Sequence, residues 1–405
     1  MSHSQSRVLY TFYYYYLIGL FTPKSHSILS IPDCPAHHPS INHATTALQT
    51  ACESCGISPY DEHSGQGNLR YVCINVERNT GKSQITLVWN NNNNTNDDSS
   101  KLQKFTETII RMGSNSSNNS SSKKKRKTAM DSFSLHSLWM HRNTAWKHSN
   151  AIFDITAPLS TDPNDENASW KLIHGPDTIK ECIIPSSNIS NKSFHPPYEV
   201  NLHFPPNVFR QANVDAFAKI VQRIRDRIIA YNQSFTKENN KLPSILELYG
   251  GVGTIGLHLA DLTSSITCSD ENVYNPKSFQ SAVSSCLPPD IAQKCTYMPK
   301  NAADMVSFES GSYLNKADII VVDPPRKGLD DVVVDALISK STASQTNTTS
   351  TTISKLLVYV SCGFDAFQRN CKRLEEEGRW VLEHAEGHLL FPGSDAIETL
   401  AFFTC

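Results

Sequence analysis

The sequence predicts an α/β protein in which a C-terminal Rossmann-like domain follows a smaller, β-rich (α+β) domain. Three observations point there. From Leu242 onward, short apolar runs alternate with helical stretches, the pattern of a mostly parallel sheet. Just before them, Val214 to Tyr231 sets Phe217, Ile220, Val221, Ile224, Ile228 and Ile229 on one helix face. Upstream, strand-like runs such as Arg70 to Val76 and Gln84 to Trp89 stand without that alternation.

The 405 residues suit two or three domains. With 39% hydrophobic residues the chain is neither collagenous nor wholly disordered. No apolar run approaches the roughly 18 residues of a membrane span; the best, Phe12 to Phe21, is short and rich in tyrosine. A net charge of -2 means that any nucleic-acid site is a local patch rather than a general basic coat. The 11 cysteines, odd in number and scattered from Cys34 to Cys405, fit a reducing intracellular compartment.

Taken in order, residues 1–205 form the first expected domain and residues 206–405 the second. Within the first, Asn90 to Lys127 is dominated by asparagine, serine and lysine, so a disordered insertion is expected at about 90–130. Its closing run, Lys123 to Lys127, reads as a nuclear localisation signal, a phosphate-grasping arm or a solvated loop. The first 32 residues lack Asp and Glu, as transit peptides do, so nucleus and plastid both stand open. In the second domain the expected strands are Ile245 to Tyr249, Ile266 to Ser269, Ile319 to Val322, Leu356 to Val360 and Ala401 to Phe403. A polar tract at about 340–354 is expected to be a second disordered loop.

Three unusual clusters follow expected strands directly. They are Gly250-Gly251-Val252-Gly253-Thr254, Asp323-Pro324-Pro325-Arg326-Lys327-Gly328 and Ser361-Cys362-Gly363. Ligands of open parallel sheets bind at the carboxyl ends of the strands, so all three should line one crevice. The glycine loop, with a helix expected from Ile255, lets backbone approach a ligand closely. Its spacing is neither that of the dinucleotide fingerprint nor that of a phosphate loop. Glu247-Leu248-Tyr249 leading into it suits S-adenosylmethionine, with Asp270 or Glu271 after the next strand holding the ribose. The two prolines stiffen the backbone after Asp323, which suits a fixed carboxylate against a planar heterocycle. Cys362 at a strand end beside that carboxylate would be a nucleophile. Cys52 and Cys55, flanked by Cys34, Cys73, His37 and His38, offer one close pair where strong zinc sites show two, and no metal is expected.

These blocks resemble the RNA (uracil-5-)-methyltransferase family. Phe209-Arg210-Gln211-Ala212-Asn213, Glu247 to Thr254, Asp323 to Leu329, Tyr359 to Cys362 and Phe391-Pro392 to Glu398-Thr399 occur in family order over about half the chain. Gly19 to Cys34 and Leu69 to Val72 look like the family's central domain. The forms Ser-Cys-Gly-Phe and Phe-Pro-Gly-Ser-Asp-Ala-Ile-Glu are closest to uncharacterised plant and algal members.

The resemblance implies a Rossmann-like S-adenosylmethionine-dependent methyltransferase domain making 5-methyluridine in tRNA or rRNA. Cys362 would add to carbon 6 of uracil, Glu398 would take the carbon-5 proton, and Asp323 would hold the base edge. Gln211, Glu247, Tyr249, Gly251, Gly253, Asp270, Asn301 and Asp323 would surround the cofactor. The target uridine must leave its stack, so a splayed RNA loop is the expected substrate, with a monomeric enzyme and no membrane. The family's Ser-Cys-Asn-Pro is Ser-Cys-Gly-Phe here, and two histidines usual before the Glu are Gly393 and Ala396. The chain is expected to begin inside the central domain, without the β-barrel or iron–sulphur cluster of many members. These departures motivate a rival, a catalytically weakened RNA-binding protein keeping the fold. An amino-group methyltransferase, which also uses Asp-Pro-Pro, would need an aromatic where Arg326 stands.

Overall fold

The computed structural model describes residues 7–13, 17–22, 28–31, 33–61, 63–90, 96–114, 133–143, 157–162, 165, 168–183, 196–307, 313–343, 355–391, 394 and 396–405. Two units divide the chain: Met1–Glu181 with Phe204–Asn213, and Cys182–His203 with Val214–Cys405. The boundary expected near 205 is thus a double exchange of chain rather than a single break.

The N-terminal unit is built on a mixed eight-stranded sheet. Its strands are β1 (Arg7–Tyr13), β2 (Leu17–Phe21), β3 (Ile28–Ser30), β4 (Leu69–Glu77), β5 (Lys82–Asn90), β6 (Leu135–Asn143), β7 (Leu159–Ser160) and β8 (Trp170–His174), in the spatial order β3-β2-β1-β4-β5-β6-β8-β7. Helix α1 (Pro39–Cys55) starts with His38, whose ring nitrogen accepts from Ser40 N at 3.2 Å, and with Pro39 in its first turn. It stops at Gly56, whose φ of 65° and N–H bonds to the Cys52 and Glu53 carbonyls close the last turn. Its buried stripe includes Ile41, Leu48, Cys52 and Cys55, packed with Val72, Ile74, Ile85 and Leu87 of the sheet. Cys52 and Cys55 therefore serve as core side chains of α1, and the Cys55 thiol donates to Thr108 Oγ1 at 3.6 Å.

The disordered insertion expected at about 90–130 needs correcting over its first half. Helix α2 (Asn96–Ser114) lies there and forms the crossover between the parallel strands β5 and β6. Leu102, Phe105, Ile109 and Met112 recur at helical spacing within a polar composition, and Phe105 and Ile109 are buried in the core. The Phe105 ring sits 6.5 Å from that of Trp89. Residues 115–132, with the basic run Lys123 to Lys127, lie outside the described residues.

Strands β9 (Ile179–Cys182) and β10 (Asn201–Phe204) fall where the chain passes from one unit to the other. The C-terminal unit then opens with α3 (Val214–Asn239), whose buried face is the Phe217, Ile220, Val221, Ile224 and Ile228 stripe, continued by Tyr231 and Phe235. Next come β11 (Ser244–Leu248), β12 (Ser265–Ser269), α4 (Asn275–Cys286), α5 (Pro289–Ala292), β13 (Cys295–Met298), α6 (Ala302–Val306), α7 (Tyr313–Lys316) and β14 (Ile319–Val322). The chain finishes with α8 (Asp331–Ala343), β15 (Leu356–Ser361), α9 (Phe364–Glu376), β16 (Val381–His388) and β17 (Glu398–Thr404). The seven strands order as β13-β12-β11-β14-β15-β17-β16, parallel through β15, with β17 antiparallel to both neighbours.

Three details differ from expectation. The helix expected from Ile255 is a pair of 3₁₀ turns, Gly256–His258 and Ala260–Leu262. Buried Arg225 of α3 donates to the His258 carbonyl and pairs with Asp261 at 2.7 and 2.9 Å, tying both turns to α3. Strand β16 is an edge strand with most of its residues at least partly exposed, so it lacks the apolar run that marks the others. Helix α8 also reaches into the tract at about 340–354, of which residues 344–354 lie outside the described residues.

The buried face of α2 yields a stability test. Phe105→Ala should cost ~3–5 kcal/mol in urea unfolding followed by circular dichroism, and Lys104→Ala, on the exposed face, under about 0.5 kcal/mol. Equal, small losses would show that α2 is not part of the core.

Candidate active site

The order of chain addition reverses between β11 and β14, which lie side by side with β12 outside the first and β15 outside the second. Ligands of open α/β sheets bind at such a switch point, outside the carboxyl ends of the strands. The glycine loop leaves β11 there, Asp323 leaves β14, and Cys362 leaves β15.

Backbone geometry sets the glycine loop. Tyr249 has φ 58°, a rare value for a side chain of its size, and its hydroxyl donates to Asp330 Oδ2 at 3.2 Å. Gly251 and Gly253 also have positive φ, 55° and 82°. A β-carbon on Gly253 would stand 2.5 Å from the Phe279 ring, whereas one on Gly251 would meet open space. Beneath the loop, the buried Glu247 carboxylate accepts from Gly256 N at 3.1 Å, and burial pushes its pKa up to about 7. Its other oxygen leaves no room for a side chain at Gly256.

Asp270, directly after β12, ties the loop to the next helix. It accepts from Gly251 N at 3.1 Å, Asn272 N at 2.9 Å and Asn275 Nδ2 at 3.0 Å, and burial raises its pKa. Its neighbour Glu271 is exposed. Asn301, after β13, is exposed and caps α6 by accepting from Asp304 N at 2.8 Å. Gln211 belongs to the N-terminal unit, in the segment between β10 and α3.

The register of β17 brings the remaining groups together. Ser361 pairs with Thr399 and Val360 with Leu400, so the next residues outward are Cys362 and Glu398. Because β17 is antiparallel, its first residue reaches the edge where β15 ends. Glu398 is only 4% exposed, and burial moves its pKa up to about 7 against the opposing pull of Arg326. Asp323 is held well above the usual carboxylate range by burial and by the charges of Glu398, Glu247 and Asp270. Burial, then Glu398 and Asp323, push the Cys362 thiol up, while Arg326 opposes them. At neutral pH the resting thiol is thus protonated, beside a carboxyl, Glu398, whose pKa lies near neutrality.

Sequence reasoning passed over Asn370, and named Gly328 and Gly363 without showing what they fix. Asn370 of α9 accepts from Leu329 N at 3.1 Å and from the Tyr359 hydroxyl at 2.8 Å, joining the Asp323 loop, β15 and α9 through one oxygen. A β-carbon on Gly363 would lie 2.2 Å from the Arg326 carbonyl oxygen, and one on Gly328 would lie 2.6 Å from Asn370 Oδ1. The two glycines let the Asp323 loop close onto the start of α9. Neither pattern has a signature in a single sequence, because each depends on segments about 40 residues apart. Among the described residues no cluster of His, Cys, Asp and Glu could hold a metal, and no helix is long and apolar enough to cross a membrane.

The structure superposes on the tRNA (uracil-54, C5)-methyltransferase of Pyrococcus abyssi, solved with S-adenosyl-L-homocysteine. The TM-score is 0.61 at 18% identity, over 99% of this chain and 76% of that one. This likeness gives the fold, that of a Rossmann-like methyltransferase with a β-rich N-terminal region. No protein-family model matches the chain. An uncharacterized RNA methyltransferase of Protochlamydia amoebophila is 33% identical over 387 residues, covering 96% of this chain and 81% of that protein. Another, from Staphylococcus aureus, is 22% identical over 396 residues, covering 96% of this chain and 68% of its own length. The chain belongs to the RNA methyltransferases.

The charges around Cys362 make its reactivity a direct probe of the site. Removing the Glu398 charge (Glu398→Gln) removes repulsion on the thiolate, so the Cys362 pKa falls and alkylation near neutral pH speeds up. Arg326→Ala acts in the opposite sense and slows it. Peptide mass mapping after iodoacetamide pulses across pH reads Cys362 apart from the other cysteines. No change in either variant would mean that these charges lie too far away.

Proposed function

We propose that the chain methylates carbon 5 of a uridine in tRNA or rRNA through a transient bond between Cys362 and carbon 6 of the base. The observation that carries this is the β15–β17 register, which sets a thiol and a half-titrating carboxylate side by side at the ligand edge of the sheet. Asp323 at the adjacent strand end supplies the third group.

Bound S-adenosylmethionine would supply an electrophilic methyl group. The glycine loop fits that cofactor, because Gly251 faces open space and Gly253 permits the close turn over Phe279. Gly251, Gly253 and the Tyr249 backbone would lie against it, with Asn301 as a further contact. Glu247 acts from beneath, holding the loop through Gly256 N. Asp270 already anchors the loop, so exposed Glu271 is the better carboxylate for the ribose hydroxyls.

Carbon 5 of uracil is a weak nucleophile until carbon 6 is attacked. The Cys362 thiol gives its proton to solvent, and the thiolate, favoured by Arg326, forms the sulfur–carbon 6 bond while the π electrons move onto oxygen 4. Asp323 would hold the base edge while that charge develops. Carbon 5 would then take the methyl group, the cofactor leaving as its neutral thioether. Glu398 removes the carbon-5 proton, the ring double bond re-forms, and the sulfur–carbon bond breaks. A base stacked in a duplex cannot be reached in this way, so the substrate is a looped or splayed strand.

RNA containing 5-fluorouridine tests the sequence of bonds, because fluorine cannot leave as a proton. With S-adenosylmethionine the wild-type protein should stall as a covalent methylated adduct, seen as an RNA-shifted band, and Cys362→Ala should give none. On ordinary uridine, Glu398→Gln should lose about 10²- to 10⁴-fold in turnover and accumulate the same adduct. Since Glu398 must be ionised to act, the single-turnover rate should rise as pH passes through about 7. Cofactor binding without any adduct on total cellular RNA would favour a catalytically weakened RNA-binding protein.

Gly253→Ala forces a side chain into positive φ against Phe279. It should weaken S-adenosylmethionine binding at least tenfold in calorimetry. Unchanged affinity would remove the loop from the cofactor site.

A further inference from the structure

Phe364 stands two residues beyond Cys362, at the first position of α9, and is 56% exposed. Its ring is backed by Phe367 at 6.4 Å, and Phe367 meets Tyr359 edge-on at 5.1 Å. The Tyr359 hydroxyl is in turn fixed on Asn370. An aromatic ladder thus rises from the sheet core and ends in a ring held from below.

Its surroundings share that character. Beyond the paired His388 and Glu398, the next residues outward on the hairpin are Leu389, 67% exposed, and Ile397, 43% exposed. The Arg326 side chain is exposed too, and its carbonyl lies against Gly363. One exposed apolar side chain needs no explanation. Three around a nucleophile that must meet a planar base, with a guanidinium beside them, match the combination of stacking surfaces and cations that holds single strands.

We propose that Phe364 is a stacking platform for the nucleobase next to the target uridine, with Leu389 and Ile397 as the apolar wall and Arg326 near the phosphate. The proposal rests on the uridine-methylating function above and adds how the strand is held while the uridine is extruded. Phe364 acts in binding and takes no part in bond making. The ring's rigidity matters, because a platform already ordered loses little entropy when a base settles on it. It also replaces the base-on-base stacking lost when the uridine leaves the strand.

The test is a binding cycle on the full-length chain. The probes are short RNA hairpins with a seven-nucleotide loop carrying 5-fluorouridine at its centre, and matched hairpins in which the base on its 5′ or 3′ side is replaced by an abasic sugar. For wild type, one abasic replacement should weaken binding about 5- to 100-fold, the range for one base–aromatic stack. Phe364→Ala should weaken binding of the intact hairpin as much and show under about twofold further loss with the abasic one, and Phe364→Trp should behave as wild type. This non-additivity marks direct contact. Independent losses, or Phe364→Ala binding as wild type does, overturn the platform. The covalent 5-fluorouridine adduct is scored separately. An adduct with independent losses leaves the methylation function standing, and coupled losses without an adduct leave the platform standing. Failure of wild type to bind any hairpin overturns the platform, and adducts on total cellular RNA still decide the methylation function.

Discussion

The antiparallel pairing of β17 with β15 is the constraint on which the rest of the C-terminal unit depends. A parallel β17 would begin at the opposite edge of the sheet, with Glu398 a strand length from Cys362. Running antiparallel, it starts beside the end of β15, and the Ser361–Thr399 pair sets the two groups in one row. Strand β16 covers the outer edge of β17. It is tied to α3 by Arg223 on Glu386 and Arg227 on Glu383, exposed pairs that align more than they stabilise.

The same edge concentrates carboxylates. Glu247, Asp270, Asp323 and Glu398 lie close enough for their charges to matter to one another, and burial raises the pKa of each. Such a cluster cannot be fully ionised without water or cations to offset it. The consequence is division of labour. Glu247 and Asp270 are used on loop backbone, the Asp323 pKa is held well above the usual carboxylate range, and that of Glu398 is raised to about 7. Burial, and after it the Glu398 and Asp323 charges, raises the pKa of the Cys362 thiol in the same place.

Gly363 links this electrostatic arrangement to packing. The resembled family carries an asparagine and then a proline after its cysteine, where this chain has Gly363 and Phe364. Without a side chain at 363 the Arg326 carbonyl can approach the start of α9, and Asn370 then holds the loop by Leu329 N. The changed neighbour of Cys362 is therefore matched to a closely docked loop, and the position after it is free to carry an exposed ring.

By itself the sequence determined the α/β class, the order of the parallel strands in the chain, the helix over Val214 to Tyr231 and the three clusters at strand ends, because apolar period and glycine or proline punctuation are local signals. It also marked Cys362 and Asp323 as chemistry-bearing groups. Composition hid α2, since its five apolar residues are diluted among polar and charged ones, and hid β16, an exposed edge with no apolar run. Only the tertiary structure decided that Glu398 faces Cys362, that Asp270 is occupied by the loop while Glu271 stays exposed, and that Asn370 and Gly363 fix the Asp323 loop. Those relations join residues tens of positions apart, and strand direction, register and close approach exist only once the chain has folded.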